Sequence, residues 1–218
     1  PVLTLDAISA DNVVNIAEGT GTVAITGTVA AGDYSAGDVV TLTVHGTDYT
    51  GAVAEDGTFS IDVAGASLVN DGDLTVSAKL TTTDAAGNST TVFDTQSYTL
   101  DLEAPAPVAV YADSGAADGV TNDGVVTVTL ADDVASWEYS TDGGDNWSAG
   151  TGSEFTLTAG SYANDQVQVR QTDIHGNVSA VTSLGAITVD TQGPSATITV
   201  ADSALKIGET TTVTITFS

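Results

Sequence analysis

The chain has 218 residues, of which 29 are acidic and 3 basic, so its formal net charge is −26, and it contains neither cysteine nor methionine. Without cysteine there are no disulfide bridges, thiolate metal sites or cysteine nucleophiles. Phosphate groups would be repelled by this charge, which excludes nucleic acid and anionic membrane surfaces as direct partners.

Alternation of apolar residues with Thr or Ser dominates the sequence, and this pattern is typical of half-buried strands. Turn residues such as Asp56-Gly57 and Asp142-Gly143 separate the alternating runs. Short strands between frequent turns favour an all-β chain of sandwich modules. In chain order, the clearest predicted strands cover residues 22–26, 39–44, 58–63, 74–80, 125–130 and 166–170.

An internal repeat divides the chain. Residues 83–88, Thr-Asp-Ala-Ala-Gly-Asn, recur at 172–177 as Thr-Asp-Ile-His-Gly-Asn. Another aspartate follows each copy at the same offset, as Asp101 and Asp190. The other matching pairs are 10–15 with 117–122 and 70–71 with 164–165.

The repeat predicts where the modules begin and end. Module one covers residues 1–103 and module two covers residues 104–192. Residues 193–218 begin a third, incomplete module with two predicted strands, 196–200 and 211–217. Because the first residue is Pro1 and not methionine, we expect the sequence to be a piece of a longer chain.

These repeated features resemble the bacterial immunoglobulin-like tandem repeats of giant surface adhesins of the repeats-in-toxin and biofilm-associated type. The Thr-Asp-x-x-Gly-Asn motif, the Asp-x-x-x-Pro linker and the segments 11–15 and 118–122 carry the resemblance, which covers the whole chain. It implies immunoglobulin-like β-sandwich modules joined end to end by short linkers, calcium at the junctions and a role as a stiff arm. The chain departs from the pattern at Gln192, which replaces the carboxylate of Glu103, and at Lys206.

Strand topology predicts that the acidic residues converge. In such a sandwich, the A–B and E–F loops lie at the C-terminal end of one module, and the B–C and F–G loops lie at the N-terminal end of the next. Calcium binds six to eight carboxylate, amide or other oxygens. Without a cation, each pair of carboxylates about 5 Å apart would repel by roughly 3 kcal/mol. The predicted calcium ligands are Asp11, Asn15, Asp71, Asp84, Asp101, Glu103, Asp118, Asn122, Asp165, Asp173, Asn177 and Asp190.

Simpler interpretations of the acidic residues stay open. Aspartates cap turns through local hydrogen bonds, and an acidic surface keeps a halophilic or marine protein soluble. Residues 140–147 fit an Asp-box, for which we expect a hairpin turn, and Trp137 is a predicted core residue. The two histidines stand in no hydrolase or zinc-protease motif, so the sequence does not favour an enzyme.

The sequence therefore favours calcium-stabilised spacer modules of a large bacterial adhesin, which lie outside the cell at its surface and hold a distal binding region away from it. The expected partners are neighbouring modules of the same chain, and other regions of the parent would bind a glycan or surface ligand. We expect a monomer without membrane insertion, because like charge opposes association. One alternative is a glycan- or protein-binding module that uses loop 140–150. Another is ice or mineral binding through the Thr41/Thr43 and Thr127/Thr129 faces.

Overall fold

The computed structural model describes residues 1–218, which divide into two compact units. Unit 1 contains Pro1–Pro107, Leu130–Trp137 and Arg170–Val181, and unit 2 contains Val108–Thr129, Glu138–Val169 and Thr182–Ser218. The units follow spatial contacts and not the sequence repeat. The module limits expected after residues 103 and 192 therefore stay a prediction.

Residues 1–107 form nine strands and two helices of five residues each. The strands are β1 (Val2–Leu5), β2 (Val13–Asn15), β3 (Thr22–Ala30), β4 (Val39–Val44), β5 (Thr47–Ala52), β6 (Thr58–Ala64), β7 (Thr75–Thr83), β8 (Ser89–Ser97) and β9 (Thr99–Asp101). The helices are α1 (Ile16–Thr20) and α2 (Gly65–Val69). Neither helix has the length and apolar character that a membrane-spanning helix needs.

Two antiparallel sheets and one parallel pair build this part of unit 1. The sheets have the strand orders β1-β3-β6 and β5-β4-β7-β8, and β2 pairs with β9 in parallel. Alternate residues of β3, from Val23 to Val29, are buried, as the two-residue period of a strand requires. Their side chains share one core with the inward residues of β4, β6 and β7, among them Val40, Leu42, Ile61 and Leu80.

The remaining residues form twelve strands. These are β10 (Val108–Tyr111), β11 (Val120–Thr121), β12 (Val125–Thr129), β13 (Val134–Ser140), β14 (Ser148–Ala149), β15 (Glu154–Thr156), β16 (Gly160–Tyr162), β17 (Gln168–Asp173), β18 (Thr182–Ser183), β19 (Ile187–Val189), β20 (Ala196–Val200) and β21 (Val213–Phe217). The sheet orders are β10-β12-β15, β11-β19-β16, β14-β13-β17-β18 and β20-β21. Trp137 on β13 is 5% exposed, as predicted for a core residue.

The predicted strands are confirmed, and so is the all-β class. Every run predicted from the alternation overlaps a strand, and the run 39–44 coincides with β4. β7 begins one residue later than predicted, because Leu74 has a φ of 50° and cannot extend the strand. In the last hairpin, β20 coincides with the predicted strand 196–200, and β21 begins two residues later than the predicted strand 211–217. The apolar side chains of this hairpin are exposed, with Ile198 at 67% and Phe217 at 72%.

Glycines allow α1 and α2 to approach each other closely. A Cβ on Gly65 would collide with the backbone carbonyl of Glu18. A Cβ on Gly19 would lie 2.7 Å from a methyl carbon of Val69. The Gly65 N–H also donates a hydrogen bond to the Gly21 carbonyl at 2.9 Å. Because backbone meets backbone at this crossing, a side chain has no room there.

Replacing Gly65 with alanine should therefore lower the free energy of unfolding of unit 1 by about 1–3 kcal/mol, the usual cost of overpacking. Gly72→Ala is the matched control, because an added Cβ at that exposed position meets no atom within 4 Å. Urea unfolding followed by circular dichroism measures both variants. Equal unfolding free energies in the two variants would contradict the close backbone contact.

Candidate metal centre

Parallel strand pairing places an asparagine beside an aspartate at the end of β9. Asn15 lies opposite Asp101 in the register of β2 with β9. The second repeat has the same arrangement, since β11 runs parallel to β19 and the Asp190 N–H donates to the Thr121 carbonyl at 2.9 Å. Asp101 in the first repeat and Asp190 in the second therefore have equivalent backbone positions, each at the end of a strand in a parallel pair.

Three carboxylates converge within unit 1. Asp101, Asp133 and Asp173 each offer one oxygen, and these oxygens lie within 4.8 Å of one another. Asp101 ends β9, Asp133 precedes β13 and Asp173 ends β17. The Ile174 N–H donates to the Asp133 carbonyl at 2.9 Å, which fixes the two loops together. Asp173 is 5% exposed, whereas Asp133 is exposed to solvent.

Hydrogen bonds within its own loop hold the Asp173 carboxylate. Its Oδ1 accepts the N–H groups of His175 at 2.8 Å and Asn177 at 2.9 Å, and its Oδ2 accepts the Asn177 side-chain amide at 2.9 Å. Burial alone would raise the pKa of Asp173. The hydrogen bonds outweigh burial and hold the pKa below its usual value. Asp173 is therefore a negative charge at neutral pH.

Two asparagine amides connect this loop to other segments of unit 1. The Asn177 Oδ1 accepts the Ile16 N–H at 2.8 Å, and its Nδ2 also donates to the Asp101 carbonyl at 3.1 Å. The Asn15 Nδ2 donates to the His175 carbonyl at 2.9 Å. The Asn15 Oδ1 caps α1 by accepting a backbone N–H of its first turn at 2.9 Å. Both amide oxygens thus accept backbone N–H groups.

An ion pair lies beside the cluster that Asp101, Asp133 and Asp173 form. The His175 Nδ1 lies 2.9 Å from the Asp11 Oδ2. This hydrogen bond raises the pKa of His175, and the charges of Asp101 and Asp173 add to the effect. The same bond lowers the pKa of Asp11. A protonated His175 therefore brings a positive charge close to the three carboxylates.

Asp71 and Glu103, two further predicted ligands, differ in their surroundings. Asp71 is buried, and its Oδ2 accepts the Thr75 N–H at 3.2 Å and the Tyr98 hydroxyl at 3.3 Å. Burial, together with the Asp71 charge, raises the pKa of Tyr98. Glu103 is exposed, and its N–H donates to the Asp101 Oδ1 at 3.2 Å. The role of both residues as calcium ligands stays a prediction.

The first copy of the repeated loop has the same internal geometry as the second. The Asp84 Oδ1 accepts the N–H groups of Ala86 at 2.9 Å and Asn88 at 2.8 Å, and the Asn88 amide donates to the Asp84 Oδ2 at 2.9 Å. The bond from the Asn88 side chain is the main cause of a lowered pKa of Asp84. Asn88 is exposed, unlike Asn177. Asp33 lines the same groove as Asp84.

The carboxylates among the predicted ligands of unit 2 accept local hydrogen bonds, whereas Asn122 donates its backbone N–H to the Ser114 hydroxyl at 2.9 Å. The predicted ligands of this unit are Asp118, Asn122, Asp165 and Asp190. The Asp190 Oδ1 accepts the N–H two residues later at 2.9 Å, as Asp118 does at 3.1 Å. Such contacts are typical of aspartates that cap turns. A ligand role for these residues also stays a prediction.

Asp133 was not identified from the sequence. It lies in the connection between β12 and β13, which is the B–C loop of predicted module two. The same topology that placed the F–G loop at the N-terminal end of a module placed the B–C loop there too. The acidic pair Asp132-Asp133 was thus a usable signal, but acidic turns are frequent in this chain.

The donor set fits a hard cation. Carboxylate oxygens are the ligands that Ca2+ prefers, and three of them meet here within 4.8 Å. Glu103 lines the same groove as Asp101 and Asp133, so a fourth carboxylate borders the space. At an effective dielectric constant of about 20, two such charges about 5 Å apart repel by about 3 kcal/mol. A bound cation would remove this repulsion.

Comparison with known proteins identifies the family. A family model described as a bacterial Ig-like domain matches residues 190–218. A solved bacterial immunoglobulin-like domain from the M. primoryensis ice-binding adhesin is 41% identical, and the match covers 46% of this chain and 96% of that domain, with a TM-score of 0.44. The chain belongs to the bacterial immunoglobulin-like domains. This confirms the family that the repeated motifs indicated.

Two longer adhesin structures match 91% of this immunoglobulin-like chain. The first, a Ca2+-stabilized adhesin that helps an Antarctic bacterium reach out and bind ice, is 30% identical with a TM-score of 0.64, and our chain spans 51% of it. The second, from a 1.5-MDa bacterial ice-binding adhesin, is 27% identical with a TM-score of 0.62, and 67% of it is covered. The immunoglobulin-like fold class is confirmed. No curated protein matches the sequence.

The ion pair between Asp11 and His175 makes stability depend on pH. The raised pKa of His175 gives a contribution that is complete below its unfolded value, about 6.5, and is lost as pH rises through the folded pKa. The lowered pKa of Asp11 gives a contribution that is complete above about 3.9 and is lost as pH falls through the folded pKa. Both contributions should therefore be present together between about pH 4 and 6.5.

An NMR titration of the His175 imidazole tests the pair directly. In Asp11→Asn the pKa of His175 should fall, because the neutral amide no longer favours the imidazolium. His45, on the turn between β4 and β5, gives a second imidazole signal in the same spectra as a reference. An unchanged pKa of His175 in this variant would show that the two side chains do not interact in solution.

Proposed function

We propose that this chain is a calcium-stabilised part of the extender of a large bacterial adhesin, outside the cell at its surface, where it holds a distal binding region away from the cell. The cluster of Asp101, Asp133 and Asp173 carries the proposal. Its support from comparison is that the matched structures come from large adhesins, one of them described as Ca2+-stabilized.

The proposed ion would be held first by the three clustered carboxylates. Two of them, Asp101 and Asp173, belong to the ligand set predicted from the repeat, and Asp133 extends that set. The ion would supply positive charge that offsets the repulsion of these groups. Because Asp101 belongs to predicted module one while Asp133 and Asp173 belong to predicted module two, the ion would also join the two modules. Asp84 would serve an equivalent site at the other end of module one.

The organisation that we propose is the one the repeat predicts. Modules of residues 1–103 and 104–192 are followed by the start of a third at 193–218, and the neighbouring modules of the same polypeptide are the partners. A spacer of this kind needs no catalytic residues, and we propose no enzymatic activity. The ligand of the adhesin would be bound by other regions of the parent protein.

The alternative of a glycan- or protein-binding module has weaker support. Its candidate loop, residues 140–150, uses its side chains to hold its own turn. The Asp142 Oδ1 accepts the Asn146 N–H at 3.0 Å, and the Trp147 Nε1 donates to the Gly144 carbonyl at 3.0 Å. The bonds from Asn146 and Ser140 lower the pKa of Asp142 to about 2. These contacts favour the hairpin turn over a binding surface.

Removal of calcium should lower the melting temperature of the chain. A ligand present at a thousandfold excess over its dissociation constant contributes about 4 kcal/mol per site. Differential scanning calorimetry with calcium and with chelator, each at low and at moderate salt, measures the effect. At moderate salt the surface charges are already screened, so a remaining effect of calcium on the melting temperature reports specific binding. Identical melting temperatures with and without chelator, at both salt concentrations, would refute the calcium proposal.

Single substitutions should locate the site. Asp101→Ala, Asp133→Ala and Asp173→Ala should each remove the tightest event in a calorimetric calcium titration, because each removes one of the converging oxygens. Asp84→Ala is the matched control, since Asp84 has the same loop geometry as Asp173 but lies outside the cluster, and it should leave that event in place. Retention of the event in all three cluster variants would reject the ligand assignment.

A further inference from the structure

The Asn177 side chain has contacts that a metal ligand would not need. It is 3% exposed, and its Oδ1 accepts the Ile16 N–H at 2.8 Å. Its Nδ2 donates both to the Asp173 carboxylate at 2.9 Å and to the Asp101 carbonyl at 3.1 Å. One neutral amide therefore joins the start of α1, the end of β9 and the loop after β17.

Asn15 makes a second bond of the same kind. Its Nδ2 donates to the His175 carbonyl at 2.9 Å, while its Oδ1 accepts the Glu18 N–H at 2.9 Å as the cap of α1. Asn15 and Asn177 thus bridge the same segments from opposite directions. In both amides the oxygen, which is the atom a metal would need, already accepts a backbone N–H.

The homologous loop shows which contacts belong to the motif and which belong to this position. Asn88 makes the same bond to its own aspartate, Asp84, at 2.9 Å. Asn88 is exposed, whereas Asn177 is buried against Ile16 and Asp101. The bond inside the loop is therefore common to both copies. The bonds to Ile16 and Asp101 are additional at Asn177.

From these contacts we infer that Asn177, assisted by Asn15, is a positioning residue that connects residues 15–16, 101 and 173 without a metal ion. These bonds run between the two amides, backbone atoms and the Asp173 carboxylate of the same loop, so the connection does not depend on a cation. It holds the Asp101 and Asp173 carboxylates near each other before an ion arrives, so that less ordering remains to be done when one binds. Only this last step rests on the proposed function.

The test uses Asn177→Asp in the full chain, with Asn88→Asp as the matched control. The substitution keeps an oxygen for the Ile16 N–H but replaces the donor with a second oxygen, which would face the Asp101 carbonyl and the Asp173 carboxylate. Hydrogen exchange at Ile16, measured by NMR in chelator, should become about tenfold faster in Asn177→Asp. It should stay as in the wild type in Asn88→Asp.

A calcium titration of the same variants separates positioning from ligation. If Asn177 were a ligand, the added carboxylate of Asn177→Asp would strengthen calcium binding. We expect binding that is several-fold weaker, because the nearby carboxylates would be displaced. Unchanged exchange at Ile16 in chelator, or tighter calcium binding by this variant, would overturn the inference. The exchange measurement stays decisive even if no form of the chain binds calcium.

Asn15→Ser provides a second variant in case Asn177→Asp does not fold. Serine preserves the cap of α1 but removes the donor to the His175 carbonyl. Circular dichroism should show native strand content, and hydrogen exchange at Ile16 in chelator should be faster by a few-fold. Wild-type exchange in this well-folded variant would show that Asn15 does not assist Asn177 and would overturn that part of the inference.

Discussion

Repulsion among carboxylates is the constraint on which the arrangement of this chain depends. With a net charge of −26, the chain keeps most of its acidic side chains out of the core, which is formed mainly by Val, Leu, Ile and aromatic residues. Asp173, on the buried face of β17, is held there by hydrogen bonds. Many of the carboxylates lie in turns, where backbone N–H groups bind them. At Asp84 and Asp142 a bond from an asparagine side chain, together with backbone N–H groups, lowers the pKa, and at Asp173 the same kinds of bond outweigh burial and lower it too. Turn geometry therefore keeps the charges ionised, and their mutual repulsion persists wherever several turns meet.

The strands could be predicted because their signal is local. Alternating burial along β3 and β4 follows directly from the alternation of apolar and hydroxyl residues. The two helices could not be predicted in this way. A helix of five residues is too short to show a period of 3.6 residues. α1 depends instead on the capping box of Asn15 with Glu18, and α2 depends on the space that Gly65 leaves for the backbone.

The candidate site was only partly predictable, for two physical reasons. The repeat identified Asp101 and Asp173 because both occupy fixed positions in a repeated backbone arrangement. Asp133 is no part of a repeated motif, and its proximity to the others results from packing between segments distant in sequence. The asparagines raise a different difficulty, because an amide offers both an acceptor and a donor. Residue type cannot tell whether the oxygen of Asn15 or Asn177 faces an ion or a backbone N–H.

Two kinds of interaction with different ranges therefore act at the same place in unit 1. The amide bonds of Asn15 and Asn177 are directional and short in range, so they determine where the loop after β17 lies. The repulsion of Asp101, Asp133 and Asp173 acts over longer distances and is weakened by salt. A cation would act on this repulsion and not on the amide bonds that end on backbone atoms. The two interactions can therefore change independently. The hydrogen bonds of Asn15 and Asn177 determine the geometry of the cluster, and the ionic environment determines how strongly the carboxylate charges oppose that geometry.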